Sequence, residues 1–226
     1  SLLALLMKKM HKKRIAAWEH YCRNLRSMLD ILMNSTERAQ VSKVGIDSTV
    51  LDLWDTIRSD SGTHDVTLRA ADAASVTAHS HVLSRASPVV AAMLSSAMGE
   101  ASSKEIQLDC SGDSINFMLD LIYMGTSSAP FTCGVALPAL DLAHRWQIHG
   151  VVQMLQRAAC GALTQETFAE IAEAALLKGL EELKHSCETF AHHHATVIGE
   201  RQHTMPAIVR EWLVSKRHSS SSHHAA

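Results

Sequence analysis

The segment VTAHSHVLSRASPVV occupies residues 76–90, and its hydrophobic pattern changes partway along. Its first residues include β-branched side chains, which are typical of a short strand. From His81 the apolar residues recur at helical spacing as far as Met98. Ser87 and Pro88 interrupt that spacing, because proline is accepted in the first turn of a helix but not in its interior. The segment therefore predicts a strand followed by a pair of helices.

Short strands are predicted on either side of this segment. D-V-T-L-R at Asp65–Arg69 and S-V-T-A at Ser75–Ala78 flank a polar loop at Ala70–Ala74, a pattern typical of a hairpin. E-I-Q-L at Glu105–Leu108 alternates apolar and polar residues and predicts a third strand. The five turn-forming residues Ser59–Thr63 cannot continue a helix, so they separate the hairpin from whatever precedes it.

Helical spacing dominates the rest of the chain. A short helix is predicted at Thr49–Ile57, where Val50, Leu53 and Trp54 share one face. Further helices are predicted at Ser114–Met124, Leu137–Gln147, Gly150–Ala162, Glu166–Lys178, Leu180–Ala195 and Pro206–Val214. The serines and histidines that follow have nothing to bury, so residues 215–226 are predicted to be a disordered tail.

Composition supports a folded, mainly helical chain. Of the 226 residues, 46% are hydrophobic and only 4% aromatic, which excludes a disordered chain and disfavours a β-sandwich. The net charge of −2 gives no general affinity for nucleic acid. The longest uncharged run, Leu121–Leu140, contains glycines and prolines and does not predict a membrane span. The five cysteines form no C-x-x-C pair, which predicts a reducing intracellular compartment, cytoplasm or nucleus.

The first 40 residues differ in charge from the remainder, with eight Lys and Arg against three Asp and Glu. Residues 1–45 are predicted to be a basic amphipathic helix and linker, because apolar side chains recur from Trp18 to Leu32 at helical steps. Such a helix suits calmodulin, an anionic membrane surface, a coiled-coil seam or a partner helix, or it packs against its own protein. Because the first residue is Ser1 and not Met, we expect the natural protein to extend upstream.

The order and the motifs of the central region resemble those of the BTB (POZ) domain. D-V-T-L at Asp65–Leu68 is similar to the first strand of that family, and Val76–Val90 is similar to its F-x-A-H-K-x-x-L-A-x-x-S-P-V-F signature. L-I-Y-M-G at Leu121–Gly125 is similar to the family's L-x-x-I-Y-T-G helix end, and L-A-H-R-W at Leu142–Trp146 is similar to the A-D-K-Y stretch of the next helix. The resemblance implies an α+β fold, a short three-stranded sheet flanked by helices, followed by an all-helical extension.

Within that family, the chain most resembles the MATH-BTB branch, the speckle-type POZ proteins. This resemblance begins at Ile46–Asp55 and continues through Phe168–Thr196, and it implies a BTB domain at 46–163 and a helical extension (BACK-like) at 164–214. Three positions depart from the family pattern. Val76 and Val90 replace phenylalanines, and Ser80 replaces a lysine or arginine. No strands of a MATH domain are visible in the sequence.

The resemblance implies two interaction surfaces. The first mediates homodimerisation, and its matching residues are Ile46, Val50, Leu53 and Val82. The residue pattern by itself also favours a dimer, because an apolar stripe outside the main unit needs a surface to cover it. The alternative is that the stripe folds back on its own subunit.

The second surface implied by the resemblance binds a cullin-3-type scaffold of a ubiquitin ligase. Its matching residues are Met98 and Glu100 after the helix pair, and Tyr123 and Met124 at the end of a later helix. A methionine suits an apolar pocket and a carboxylate suits a basic or hydroxyl group. Tyr123 is alternatively a core residue with its hydroxyl at the surface. The implied role is an adaptor for substrate ubiquitination, and the alternative is a scaffold that only dimerises or oligomerises.

Catalytic and metal-binding patterns are not apparent. The run His192–His194 places adjacent imidazoles on different sides of a helix, and neither Cys nor carboxylate completes a zinc set. The sequence contains no G-x-S-x-G elbow, Walker loop or G-x-G-x-x-G. We therefore expect no enzyme activity, no metal and no cofactor.

Overall fold

A computed structural model describes residues 48–95 and 103–222, with side chains as far as residue 216. Contacts divide the chain into Ser1–Val50 and Leu51–Ala226. The description below therefore concerns the second unit and the three described residues at the end of the first. The predicted helix at 1–45, and the site residues Ile46, Met98 and Glu100, lie outside the described residues.

A small three-stranded sheet forms at the predicted positions. Strands β1 (Val66–Arg69), β2 (Ser75–Ala78) and β3 (Glu105–Gln107) have the order β2-β1-β3. The β1–β2 hairpin is antiparallel, and β3 runs parallel to β1 with Leu68 opposite Ile106. Both of these side chains are buried, as alternation along a half-buried strand requires. The three predicted strands are confirmed to within one residue at each end.

Helices surround the sheet and continue to the end of the described chain. A single turn of 3-10 helix at Ser61–Thr63 links α1 to β1, and a second at Gln202–Thr204 precedes α10. The helices of the first part are α1 (Ser48–Ser59), α2 (Ser80–Ala86), α3 (Pro88–Ser95), α4 (Gly112–Met124), α5 (Cys133–Arg145) and α6 (His149–Gly161). Those of the C-terminal part are α7 (Phe168–Leu177), α8 (Glu181–His193), α9 (Ala195–Arg201) and α10 (Ala207–Ser222).

One hydrophobic core extends from the sheet into the C-terminal helices. Leu68 in β1 and Met118 in α4 belong to the same buried cluster as Phe168 in α7 and Leu183 in α8. Each of these four side chains is completely buried. The α+β fold of a small sheet with a helical extension is thus the one that the sequence predicted.

The predicted break between α2 and α3 is confirmed, and Ser87 explains it. Its hydroxyl donates a hydrogen bond to the carbonyl oxygen of Trp146 (2.6 Å) and accepts one from the amide of Val90 (3.0 Å). Ser87 is fully buried, so its side chain both caps α3 and joins it to the end of α5.

Two helix starts differ from the prediction. Helix α5 begins at Cys133 and not at Leu137, because the amides of residues 135 and 136 already donate to the carbonyl oxygen of Thr132. Pro138 consequently lies in the second turn of the helix and not the first. Helix α4 begins at Gly112 and not at Ser114, because the hydroxyl of Ser111 accepts from the amide at position 114 and caps the helix earlier.

The end of the chain is more helical than predicted. The helix predicted over Leu180–Ala195 ends at His193, and α9 begins after the non-helical His194. The prediction of a disordered tail at 215–226 is wrong as far as residue 222, since α10 continues eight residues past Val214. Lys216, in the extended part of α10, forms an ion pair with Glu188 of α8, and Leu213, just before that part, is buried.

Candidate functional site

Helix α1, Ser48–Ser59, presents an apolar face to solvent. Val50, Leu53 and Trp54 are 43%, 56% and 39% exposed, and none of the helix's residues is fully buried. Only Ile57, in the last turn, packs partly against the core. An amphipathic helix normally buries its apolar face, so the exposed apolar face of α1 is suited to bind another surface.

The last turn of α1 is attached to α4 by a single arginine. Arg58 donates a hydrogen bond from Nη2 to Oδ1 of Asn116 (2.8 Å), and its Nε lies 4.0 Å from a carboxylate oxygen of Asp120. Its guanidinium carbon lies 5.7 Å from the ring centre of Tyr123, within the range of a cation–π contact. A basic residue at this end also complements the helix dipole. The attached end of α1 is thus polar, whereas its free face is apolar.

Tyr123, near the end of α4, is a core residue. It is 6% exposed, and its hydroxyl oxygen accepts from the backbone amide of His79 (3.0 Å) and lies 2.9 Å from the ring Nδ1 of the same residue. Burial raises the pKa of the Tyr123 phenol. Of the two alternatives that the sequence left open, the structure favours the core position over direct contact with a partner.

The structure describes three of the four predicted dimer residues. Val50 and Leu53 lie on the exposed face of α1, and Val82 is half-buried on α2. Ile46 is outside the described residues. Trp54 belongs to the same exposed face but was not among the predicted site residues, although the spacing that places Val50 and Leu53 there also places Trp54.

The predicted cullin-binding residues are only partly described. Helix α3 is followed as far as Ser95, and Met98 and Glu100 lie outside the described residues. Met124 is half-buried at the end of α4, where Gly125 ends the helix in the left-handed conformation (φ 70°). Met124 is therefore the one member of this set that the structure places near the surface.

A charged cluster joins the start of β1 to the start of α2. Asp65 accepts from the amide and the hydroxyl of Ser80 and from Nζ of Lys104, each at 2.7 Å. Burial alone would raise the pKa of Asp65, but these hydrogen bonds outweigh it and hold the pKa well below its usual range. Ser80, the residue that departs from the family's lysine or arginine, is thus used as a hydrogen-bond donor.

No group of side chains suited to a metal ion is found among the described residues. Among them, no three His, Cys, Asp or Glu side chains lie close enough together to hold a metal ion. His192 and His193 place their rings nearly perpendicular, with centres 5.8 Å apart. None of the helices in the described part of the chain has the length and apolar character to span a bilayer.

Comparison with known proteins places the fold in context. Residues 55–163 match the family profile described as BTB/POZ domain, which covers the sheet and helices α2 to α6 and begins within α1. No curated protein matches the sequence. Among solved structures, the BTB domain of zebrafish PATZ1 is 21% identical, over 51% of this chain and 96% of that chain, with a TM-score of 0.38.

Proposed function

We propose that this chain, whose residues 55–163 match the BTB/POZ family profile, is a homodimeric adaptor that links a cullin-3-type ubiquitin ligase to a substrate protein. The BTB/POZ fold is a protein-interaction fold and not typically a catalytic one, and such domains dimerise and bind partners. The specific partner and the MATH-BTB branch are inferred from the motifs of the sequence.

The exposed apolar face of α1 carries the dimer part of the proposal. Val50, Leu53 and Trp54 leave much of their surface in water, and removing one such side chain from water contributes about 1 kcal/mol. In a two-fold symmetric dimer the same face is buried on both copies, so each contribution counts twice. Val82 and Ile46 would extend this interface.

The cullin part of the proposal rests on motif positions. Met98 and Glu100 follow the helix pair as in the family members that recruit a cullin, and Met124 is accessible at the end of α4. Tyr123, next to Met124 in the chain, fixes the end of α4 through the contact between its hydroxyl and His79. The helices at Glu166–Ala195 correspond to those that extend the cullin footprint.

The proposed mechanism is that of a template. A dimer places two ligase arms around one bound target, so that the second encounter takes place at a raised effective concentration. No bond is made or broken by this chain itself.

Titration calorimetry of the full chain with a cullin-3 N-terminal region tests the ligase proposal. We expect binding by the unchanged chain, and its loss in Met98→Asp and Glu100→Lys. Glu211→Lys makes the same charge change at an exposed position of α10, outside the proposed footprint, and should bind as the unchanged chain does.

Two outcomes contradict the ligase proposal. If the unchanged chain fails to bind, the adaptor role falls, and a BTB dimer that scaffolds a larger assembly remains, with residues 1–45 as the segment that meets calmodulin, a membrane or a partner helix. If Glu211→Lys weakens binding as much as Glu100→Lys does, the assigned surface is wrong.

A further inference from the structure

Two histidines lie in contact beneath the attached end of α1. His64 precedes β1 and His79 precedes α2, and their ring centres are 4.7 Å apart in an edge-to-face arrangement. His64 lies in the short segment that connects α1 to the sheet, and His79 contacts Thr63 of the same segment. Neither residue belongs to the dimer surface or to the cullin-binding surface proposed above.

The two rings differ in how their nitrogens are satisfied. His79 has a hydroxyl at each nitrogen, with Tyr123 2.9 Å from Nδ1 and Thr63 2.8 Å from Nε2. Since a hydroxyl can donate or accept, both the neutral and the charged ring of His79 keep two partners. His64 has Thr77 2.7 Å from Nδ1, whereas its Nε2 is buried and has no hydrogen-bond partner within the described residues.

A proton on Nε2 of His64 would therefore be poorly accommodated. Burial is the largest influence that lowers the pKa of His64, and the neighbouring His79 and the guanidinium of Arg58 lower it further. The backbone carbonyls of Arg58 and Ile57, at the C-terminal end of α1, act in the opposite direction but do not reverse the shift. The free-energy cost of protonating His64 therefore arises beside the last turn of α1.

The charged groups around His64 come from α1, from α4 and from Asp65, the residue that follows it. Helix α1 contributes Asp55 and Arg58, whose Nε is buried and donates no hydrogen bond among the described residues. Helix α4 contributes Asp120, which is 4.0 Å from Nε of Arg58 and lines the same cleft as His64. Asp65, next to His64 in the chain, is already engaged by Lys104 and Ser80. Asp65 and Asp120 are therefore engaged by Lys104 and Arg58, and within the described residues neither forms an ion pair with His64.

We propose that His64 is an acid-sensitive latch, which holds the last turn of α1 and the segment 61–63 against β2 while it is neutral and releases them when it is protonated. A lowered pKa in the folded state means that the unfolded state binds the proton more readily. The stabilisation is therefore complete above about pH 6.5 and declines as the pH falls below that value. The consequence for dimerisation rests on the proposed function, because α1 carries the dimer face.

Amide hydrogen exchange of the full chain at pH 7.5 and pH 5.5, corrected for intrinsic exchange rates, tests the latch directly. We expect the last two turns of α1 to exchange about threefold faster or more at pH 5.5. His64→Asn keeps an amide near Thr77 without a titrating group, and should abolish this difference. His185→Asn removes an exposed histidine of α8, whose side chain is 82% exposed, and should leave it unchanged.

The latch is overturned if α1 exchange in the unchanged chain does not depend on pH, or if His64→Asn retains the full dependence. Should His64→Asn not fold, NMR titration of His64 in the unchanged chain decides instead: a pKa at or above 6.5 overturns the latch. Exchange at α1 is measured whether or not the chain dimerises. A monomer with pH-dependent α1 exchange would therefore contradict the proposed dimer and leave the latch standing.

Discussion

Gln147 occupies a backbone position that usually belongs to glycine. It follows α5 in the left-handed region (φ 57°), and the amide of Ile148 donates back to the carbonyl oxygen of Ala143, which closes a Schellman motif. The corresponding residue after α7 is Gly179 (φ 63°). A side chain in this region is strained, and glycine adopts it freely.

Replacing Gln147 by glycine should therefore stabilise the protein. We expect Gln147→Gly to raise the free energy of unfolding by about 0.5–1 kcal/mol, measured by urea denaturation. Gly179→Ala is the matched change in the other direction and should lower it by a similar amount, because no atom lies within 4 Å of the added Cβ to complicate the comparison. A loss of stability in Gln147→Gly would contradict this account of the α5 terminus.

Single residues also show where prediction from sequence ends. The helix break at Ser87 and Pro88 was predicted, because the preference of proline for the first turn of a helix is local. The sequence could not decide whether Tyr123 is buried, because its hydroxyl is fixed by His79, which is far away in the chain. The missing glycine at Gln147 likewise removed the signal that marks a helix end.

At the scale of elements, Asp65 joins a strand to a helix. Its carboxylate accepts from the first residue of α2, a position where negative charge is favoured by the helix dipole, and it also meets Lys104 before β3. One side chain thereby fixes the relative positions of β1, α2 and β3.

Acid should therefore weaken this junction. Because the pKa of Asp65 is lowered in the folded state, its contribution is complete above about pH 4 and is lost as the pH falls below that value. Urea denaturation between pH 7 and pH 2.5 should show a smaller loss of stability in Asp65→Asn than in the unchanged chain. Asp113→Asn, in the first turn of α4, is the control, and equal pH profiles for all three proteins would contradict the assignment.

The elements themselves were predictable to different degrees. The three strands were located to within one residue, because β-branched alternation and a polar loop are strong local signals. The extension of α10 past Val214 was missed, since Leu213 and Lys216 hold it through contacts with other helices. The apolar stripe of α1 was visible in the sequence, but its exposure required the structure.

On the scale of the whole molecule, the C-terminal helices share a core with the region that matches the BTB/POZ profile. Helix α7 packs against α5 as well as α8, and α8 packs against α6. Phe168 in α7 is completely buried and stacks on Phe190 of α8, with ring centres 5.8 Å apart. Such continuity predicts that the unit from Leu51 onward unfolds cooperatively.

Thermal unfolding followed by calorimetry checks this continuity. Phe168→Ala should cost about 3–5 kcal/mol and shift the whole transition to a lower temperature. Leu177→Ala, at a side chain 64% exposed on the same helix, should change it little. Two separate transitions, of which Phe168→Ala shifts only one, would show that the extension is an independent domain.

Dimerisation through α1 is the central claim for the molecule, and sedimentation equilibrium of the full chain at micromolar concentration and pH 8 tests it most directly. We predict the mass of two 24.7 kDa chains, a monomer for Leu53→Asp, and a dimer for Leu177→Asp, which places the same charge at another exposed leucine. A monomeric unchanged chain, or a Leu53→Asp protein that remains fully dimeric, would contradict it.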